Sequence, residues 1–314
     1  MPDTLFIIDA YAQIFRAFFA IRGGLRSSVT DEPTNAVFGF TGMMMRLLSE
    51  HRPTYVVVAL DAPGRTFRDH LFSDYKATRS PTPEDLTAQV PRVIQVVETL
   101  GIPVIGLAGY EADDVIACIV QRVRQDPKAA DVAIKIVSKD KDLEQLLDDK
   151  VSIFDVHTGA SMDQAGLLEA KGITPAQVTD YLALIGDAVD NVPGIPGIGP
   201  KTAVSLLSKY GSLDGILANL ENLSAKQRDA FLAAKDTLPR SRQLVTLVCD
   251  AEIPFSLEDC RVPPLNLDEV LPLFRELGFG RHQDSARKLA ELQRAEALKP
   301  KPVPSPQVAF DFGA

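Results

Sequence analysis

Leu5-Phe-Ile-Ile-Asp9 opens the chain with four apolar residues closed by a carboxylate. A run so short and so apolar reads as a strand buried on both faces, and the acid ending it must lie outside the core. The same form returns at Tyr55-Val-Val-Val-Ala-Leu-Asp61 and, slightly stretched, at Ala133-Ile-Lys-Ile-Val-Ser-Lys-Asp140. Pro103 to Leu107 is a fourth strand candidate and Ser152 to Val156 a weaker fifth. Helical patterns lie between them, at 36–50, 84–100, 111–124 and 143–147. Strands alternating with helices predict an α/β domain whose parallel sheet is covered on both faces.

In such sheets ligands bind outside the carboxyl ends of the strands. Asp9, Asp61 and Asp140 follow three of those ends, and Glu111, Asp113 and Asp114 open the helix after the strand at Leu107. Asp142, Asp187 and Asp190 extend the set. Any one of these acids is explained by helix capping, which favours Asp and Glu at a first turn. Their shared edge is not. Two unit charges about 4 Å apart repel by roughly 4 kcal/mol at an effective dielectric near 20. A few such pairs rival a domain's net stability of about 5–15 kcal/mol, so a pocket of this kind requires cations. Oxygen donors alone favour Mg²⁺ or Mn²⁺ and leave room for phosphate, which predicts metal-assisted phosphoryl chemistry.

The 314 residues are 46% hydrophobic and carry a net charge of −9. That sign argues against a nucleic-acid partner unless the excess sits in the pocket and the basic residues cluster elsewhere. Cys118, Cys249 and Cys260 have neither disulfide nor zinc spacing, which fits a reducing compartment. The apolar run Leu5 to Ile21 is broken by Asp9 and Arg16, so it is neither signal peptide nor membrane span; a cytoplasmic, nucleoid-associated protein with no membrane partner is expected.

Strand signals stop near Thr174. The organisation expected is an α/β domain over 1–173, a helical unit over 174–298 and a proline-rich tail over 299–314. Inside the helical unit, Gly194-Ile-Pro-Gly-Ile-Gly-Pro-Lys-Thr-Ala203 predicts a tight turn between two helices, with positive φ at Gly197 and Gly199 and Pro200 at the first helical position. Such a helix N-terminus offers free N–H groups to a phosphate without reading bases, and Lys201 adds charge there. A plain Gly/Pro turn is the competing reading. The repeated Gly-Ile-Pro-Gly-Ile-Gly pattern resembles the helix-hairpin-helix of DNA-repair proteins and favours the backbone grip.

Four further signatures fix a family. Phe67-Arg-Asp-His-Leu-Phe-Ser-Asp-Tyr-Lys-Ala-Thr-Arg79, Glu111-Ala-Asp-Asp114, Asp140-Lys-Asp142 and Gly186-Asp-Ala-Val-Asp-Asn191 together resemble the 5′-nuclease domain of bacterial DNA polymerase I, within the flap endonuclease family, from Leu5 to about Gly278. The resemblance implies a PIN-like fold and hydrolysis of DNA or RNA-primer phosphodiesters near a single-strand/duplex junction, in replication and repair. It implies two Mg²⁺ or Mn²⁺ ions, one held by Asp61, Glu111, Asp113 and Asp114 with Asp9 nearby, the other by Asp140, Asp142, Asp187 and Asp190. Ions about 4 Å apart can activate water and stabilise the leaving 3′-oxygen. A K⁺ ion at the helix-hairpin-helix is a further candidate. An arch near 64–90 carries the basic cluster: Lys76, Arg79 and, from the first helix, Arg16 match catalytic phosphate contacts, while Tyr75, Arg65 and Arg68 match DNA contacts. Gly197, Gly199, Lys201 and Thr202 would grip the duplex. A monomer is expected.

Two departures from the family stand out. Where Thr-Gly usually precedes Asp-Lys-Asp, this chain has Ser138-Lys139, which would set a cation near the second ion. The chain also has no length for polymerase or proofreading domains, which suggests a stand-alone nuclease, with an excised domain of a longer polymerase as the competing reading. Gln307, Phe310 and Phe312 in the tail resemble a sliding-clamp peptide. Haloacid-dehalogenase-type phosphatases also place an Asp after the first strand, but require a second Asp where this chain has Tyr11. A DNA-binding scaffold without catalysis is the non-enzymatic alternative, against which stands the full set of carboxylates.

Overall fold

The computed structural model describes residues 3–21 and 24–298. The clamp-peptide residues Gln307, Phe310 and Phe312 lie outside them. Six strands form one sheet: β1 (Thr4–Asp9), β2 (Tyr55–Ala59), β3 (Val104–Ile105), β4 (Ala133–Val137), β5 (Val151–Phe154) and β6 (Ser161–Met162), in the order β3-β2-β1-β4-β5-β6. The first five run parallel and β6 closes the edge antiparallel. All five expected strands are present. β6 was not foreseen, because two residues carry no readable periodicity.

Side chains alternate across the sheet. Phe6, Ile8, Val56 and Val58 face one core, and Leu5, Ile7, Val57, Ala59, Ile134 and Ile136 face the other. Each fully buried side chain of this size stabilises by about 1.5–3 kcal/mol, so both faces need a covering layer. On the first face lie helices α1 (Ala10–Ala20), α2 (Asn35–Arg46) and α3 (Val90–Thr99); on the second lies α4 (Ala112–Gln125). The expected helix over 84–100 is broken into Glu84–Thr87 and α3, which has a proline in its first turn.

A third core is built from the helical unit, including α5 (Val178–Ile185), α6 (Pro200–Tyr210) and α7 (Leu238–Val245). The structure corrects the extent expected for this unit. Helices α8 (Leu267–Glu276) and α9 (Gly280–Ala297) return to the α/β domain, where Val270, Phe274, Phe279 and Leu289 pack with Phe6 and α2. Their amphipathic pattern demanded burial but did not say against which core.

Candidate active site

The carboxyl ends of the strands open into one cavity of about 900 Å³. Asp9, Asp61, Glu111, Asp113 and Asp140 line it, with Lys76 and Arg79 across from them. Asp9 ends β1 and caps α1, its Oδ1 accepting from Ala12 N at 3.1 Å, while Ser138 Oγ donates to Oδ2 at 2.7 Å. Asp61 accepts from Ala112 N at 2.8 Å and so ties β2 to the start of α4. The expected convergence on one sheet edge is thus a matter of register: β1 and β2 pair Asp9 with Ala59, two residues before Asp61.

The acids crowd. Burial, with Asp61 and Asp140 close by, pushes Asp9 up to about 6. Asp142 rises to about 7, through burial and then the charges of Asp140 and Asp190, and its Oδ1 is buried without a hydrogen-bond partner. Asp113 is raised well above the usual carboxylate range by burial and by Asp140, Asp9, Asp142 and Glu111. Repulsion of this kind is the electrostatic problem that a divalent cation resolves.

Several of the acids are answered from within the chain. Lys76 Nζ donates to Glu111 Oε1 at 2.5 Å and Arg79 Nη2 to Asp190 Oδ1. Burial works against the Lys76 ammonium, but Glu111 and Asp190 outweigh it and hold its pKa above the ordinary value. Lys141 Nζ donates to Asp187 Oδ2 at 2.7 Å. Burial would raise Asp187, yet Lys141 and the Val189 N–H hold it below the usual range. Among the described residues, accordingly, no three Asp, Glu, His or Cys side chains stand in metal-holding geometry. The donor chemistry nevertheless fits: every lining acid offers oxygen, and Asp142 Oδ1, buried without a hydrogen-bond partner, is an acceptor that a cation would satisfy.

Three expected site residues are scaffold instead. Asp114 is fully buried, and both its oxygens meet Arg68, at 2.6 Å and 2.9 Å; it also accepts from Glu111 N and Val248 N. Neighbouring positions on a helix point about 100° apart, so with Asp113 in the cavity Asp114 faces the core. Asp114 is therefore not placed to hold metal. Arg68, 2% exposed, is committed to Asp114 and to the carbonyls of Leu244 and Thr246, which removes it from any DNA surface. Tyr75 is buried among the helical unit's apolar residues with its hydroxyl 3.2 Å from Glu111 Oε2 and 3.1 Å from Asp190 Oδ2. It links the two acids and is not exposed to a strand.

The segment expected to form the arch is latched to the acidic loop. Lys76 adopts φ +56°, unusual for a side-chain-bearing residue, and its N–H donates to Asp190 O at 3.0 Å. Asn191, at φ +57°, returns a bond from Nδ2 to Asp74 O at 2.7 Å. Arg65 is exposed. Arg16 and Lys139 both turn to Asp155 Oδ2, at 3.1 Å and 3.2 Å. Lys139, expected near the second ion, thus pairs with an acid outside the group proposed to hold it. Lys141, between Asp140 and Asp142, is the cation found among those acids, and spacing gives no sign of its partner Asp187.

The loop 186–195 joins acids and hairpin. Gly186 has φ +75°, and a Cβ on it would lie 2.4 Å from Gly194 N, while one on Gly194 would lie 2.3 Å from Ile185 C. Two backbones cross there with no room for a side chain. Paired bonds of 2.8 Å between Asp187 and Val192 close the loop that carries Asp187 and Asp190. Beyond it Gly197 has φ +83°, as expected, but Gly199 is extended at φ −94° and caps α6. Lys201 is exposed and Thr202 half-buried in the first turn of that helix.

Comparison with known proteins matches the chain in two consecutive parts. Residues 4–172 match the family described as 5′-3′ exonuclease, N-terminal resolvase-like domain, and residues 173–268 match the 5′-3′ exonuclease, C-terminal SAM fold. A 5′-3′ exonuclease of Aquifex aeolicus is 39% identical over 274 residues, covering 87% of this chain and 92% of that protein. DNA polymerase I of Chloroflexus aurantiacus is 36% identical over 310 residues, 96% of this chain, which spans 32% of the polymerase's length. Among solved structures, T5 5′-exonuclease with bound zinc superposes with a TM-score of 0.66 at 20% identity, covering 92% of this chain and 98% of that one. The catalytic core of Rad2 in complex with DNA gives 0.62 at 17%, covering 93% and 92%.

Proposed function

Since the chain belongs to the 5′-3′ exonuclease family, we propose that it is a structure-specific 5′-3′ nuclease hydrolysing DNA phosphodiesters next to single-strand/duplex junctions, with Mg²⁺ or Mn²⁺ as its resident ions. One observation carries the reading: five carboxylates and two arch cations line a single cavity, covalently adjacent to a helix N-terminus suited to backbone phosphate. Metal-bound T5 exonuclease and DNA-bound Rad2 share the fold, and their contents support the same chemistry here.

Asp9, Asp61, Glu111 and Asp113 would hold one ion, and Asp140, Asp142, Asp187 and Asp190 the other, K⁺ at the hairpin being a lesser addition. The ions would lower the pKa of the attacking water and neutralise the leaving 3′-oxygen, giving a 5′-phosphate product. Lys76 and Arg79 supply the chain's own part. In the structure they neutralise Glu111 and Asp190; with those acids engaged by metal, the same ammonium and guanidinium are free to turn to the non-bridging oxygens of the scissile phosphate. Gly197, Gly199, Lys201 and Thr202 hold the duplex by its backbone, independent of sequence. No helix among the described residues is long and apolar enough to cross a membrane. A monomer acting at the nucleoid is part of the same proposal. A sliding clamp at Gln307, Phe310 and Phe312 is a further proposed partner.

Asp113→Asn tests the reading. Labelled flap and nicked duplexes should be cut by the wild type in Mg²⁺ and left intact in chelator. The variant should bind them and not cut. Wild-type cleavage rates from the variant would falsify the assignment.

A further inference from the structure

Asp155 stands just past β5, at the same sheet edge as the catalytic acids, and answers two cations at once. Its Oδ1 accepts from His157 N at 2.8 Å and from Thr158 N at 3.3 Å, which folds the turn that follows. Its Oδ2 faces both Arg16 Nη1 and Lys139 Nζ. Two cations on one carboxylate leave a positive charge in excess. Arg16 lies one helical turn beyond Ala12, and Lys139 immediately precedes Asp140; both of those neighbours line the cavity, so the pair sits on its rim.

The bland reading is a structural ion pair. The turn does not require it, since the bonds that close it leave Oδ2 unused: Asp155 N donates to Ala160 O at 2.9 Å, Gly159 N donates to Asp155 O at 2.8 Å, and Oδ1 accepts from His157 N and Thr158 N. Lys139 is 67% exposed, and exposed pairs of this kind hold weakly. Its ammonium keeps further donors for a second acceptor, as does the Arg16 guanidinium. We propose that Lys139 binds a backbone phosphate of the nucleic-acid substrate at the rim of the cavity, next to the contact expected of Arg16, and that Asp155 occupies both cations until that phosphate displaces it. The inference rests on the nuclease reading and adds to it a contact on the β4–β5 side, opposite the arch. Lys139 is a positioning residue in this scheme, since it touches a phosphate other than the one being cut.

Anisotropy of a labelled flap duplex, read in Ca²⁺ across a salt series, separates the possibilities. Lys139→Ala should weaken binding several-fold and flatten the salt slope by about 0.7–0.9, the value for one lost phosphate contact. Lys139→Arg should restore both. Asp155→Asn should tighten binding, because it frees two cations, whereas a merely structural acid would give weaker binding or none. A wild-type slope in Lys139→Ala overturns the inference while leaving the nuclease reading intact, provided the wild type binds and cuts. Absence of wild-type binding overturns both. Lys139 is on the surface, so its two variants decide the matter even where Asp155→Asn fails to fold.

Discussion

Removing Arg68 should cost stability, not affinity. Its guanidinium makes four bonds, two to Asp114 and one each to the carbonyls of Leu244 and Thr246, and it is 2% exposed. Arg68→Ala leaves the fully buried Asp114 with two backbone donors, Glu111 N and Val248 N, and no counter-charge. Breaking a buried pair from one side costs about 3–5 kcal/mol. At roughly 2 °C per kcal/mol for a chain of this length, the melting temperature should fall by about 6–10 °C. Differential scanning fluorimetry reads the fall, and DNA binding measured well below the transition should stay near wild type. Replacing both partners by apolar residues of similar size, Arg68→Met with Asp114→Leu, should recover much of the loss. A variant that melts like wild type yet no longer binds DNA would refute the scaffold assignment and restore Arg68 to the DNA surface.

Other consequences are equally open to measurement. In chelator, stability should decline as pH rises from about 4 to 7: Asp9 and Asp142 have folded pKa values above the unfolded 3.8, so the folded state binds the extra protons, and the stability they lend below 3.8 is lost as pH passes 6 and 7. Asp142→Asn should flatten that decline in pH-dependent melts, and an unchanged profile would count against the crowding. Gly194→Ala should destabilise by several kcal/mol, at least as much as a strongly overpacked core, because the new Cβ meets backbone at 2.3 Å; a melting point within about 1 °C of wild type contradicts the crossing. Lys201→Ala should weaken binding to all duplex sequences alike and flatten the salt slope, and a base-dependent loss would argue against a backbone grip.

Much of this architecture was written in short runs. Strands such as Leu5 to Ile8 declare themselves because a fully buried strand must be apolar throughout, and the acid after each one has a single place to go. Where two neighbours are chemically alike the reading fails. Asp113 and Asp114 both suit a cavity or a cap, and helical rotation, invisible in a motif, decides between them. Arg68 and Tyr75 lie in a segment whose basic and aromatic residues match nucleic-acid contacts in the motif. Their burial depends on α7 and the helical unit, whose approach no local pattern announces. Lys141 could not be paired with Asp187 from spacing, since the partner arrives 46 residues later on a loop held by the Gly186–Gly194 crossing.

That crossing has a mechanical consequence. With Gly186 and Gly194 in backbone contact and Asp187 bonded twice to Val192, no adjustable linker separates the hairpin from Asp187 and Asp190. The loop works as a ruler of fixed length. Whatever backbone the hairpin grips, the offset from that grip to the acids is set once, by covalent geometry, and is the same for every sequence. Cut position would then be counted from the duplex held, and residues inserted between Val192 and Gly197 should displace the cut or blur it.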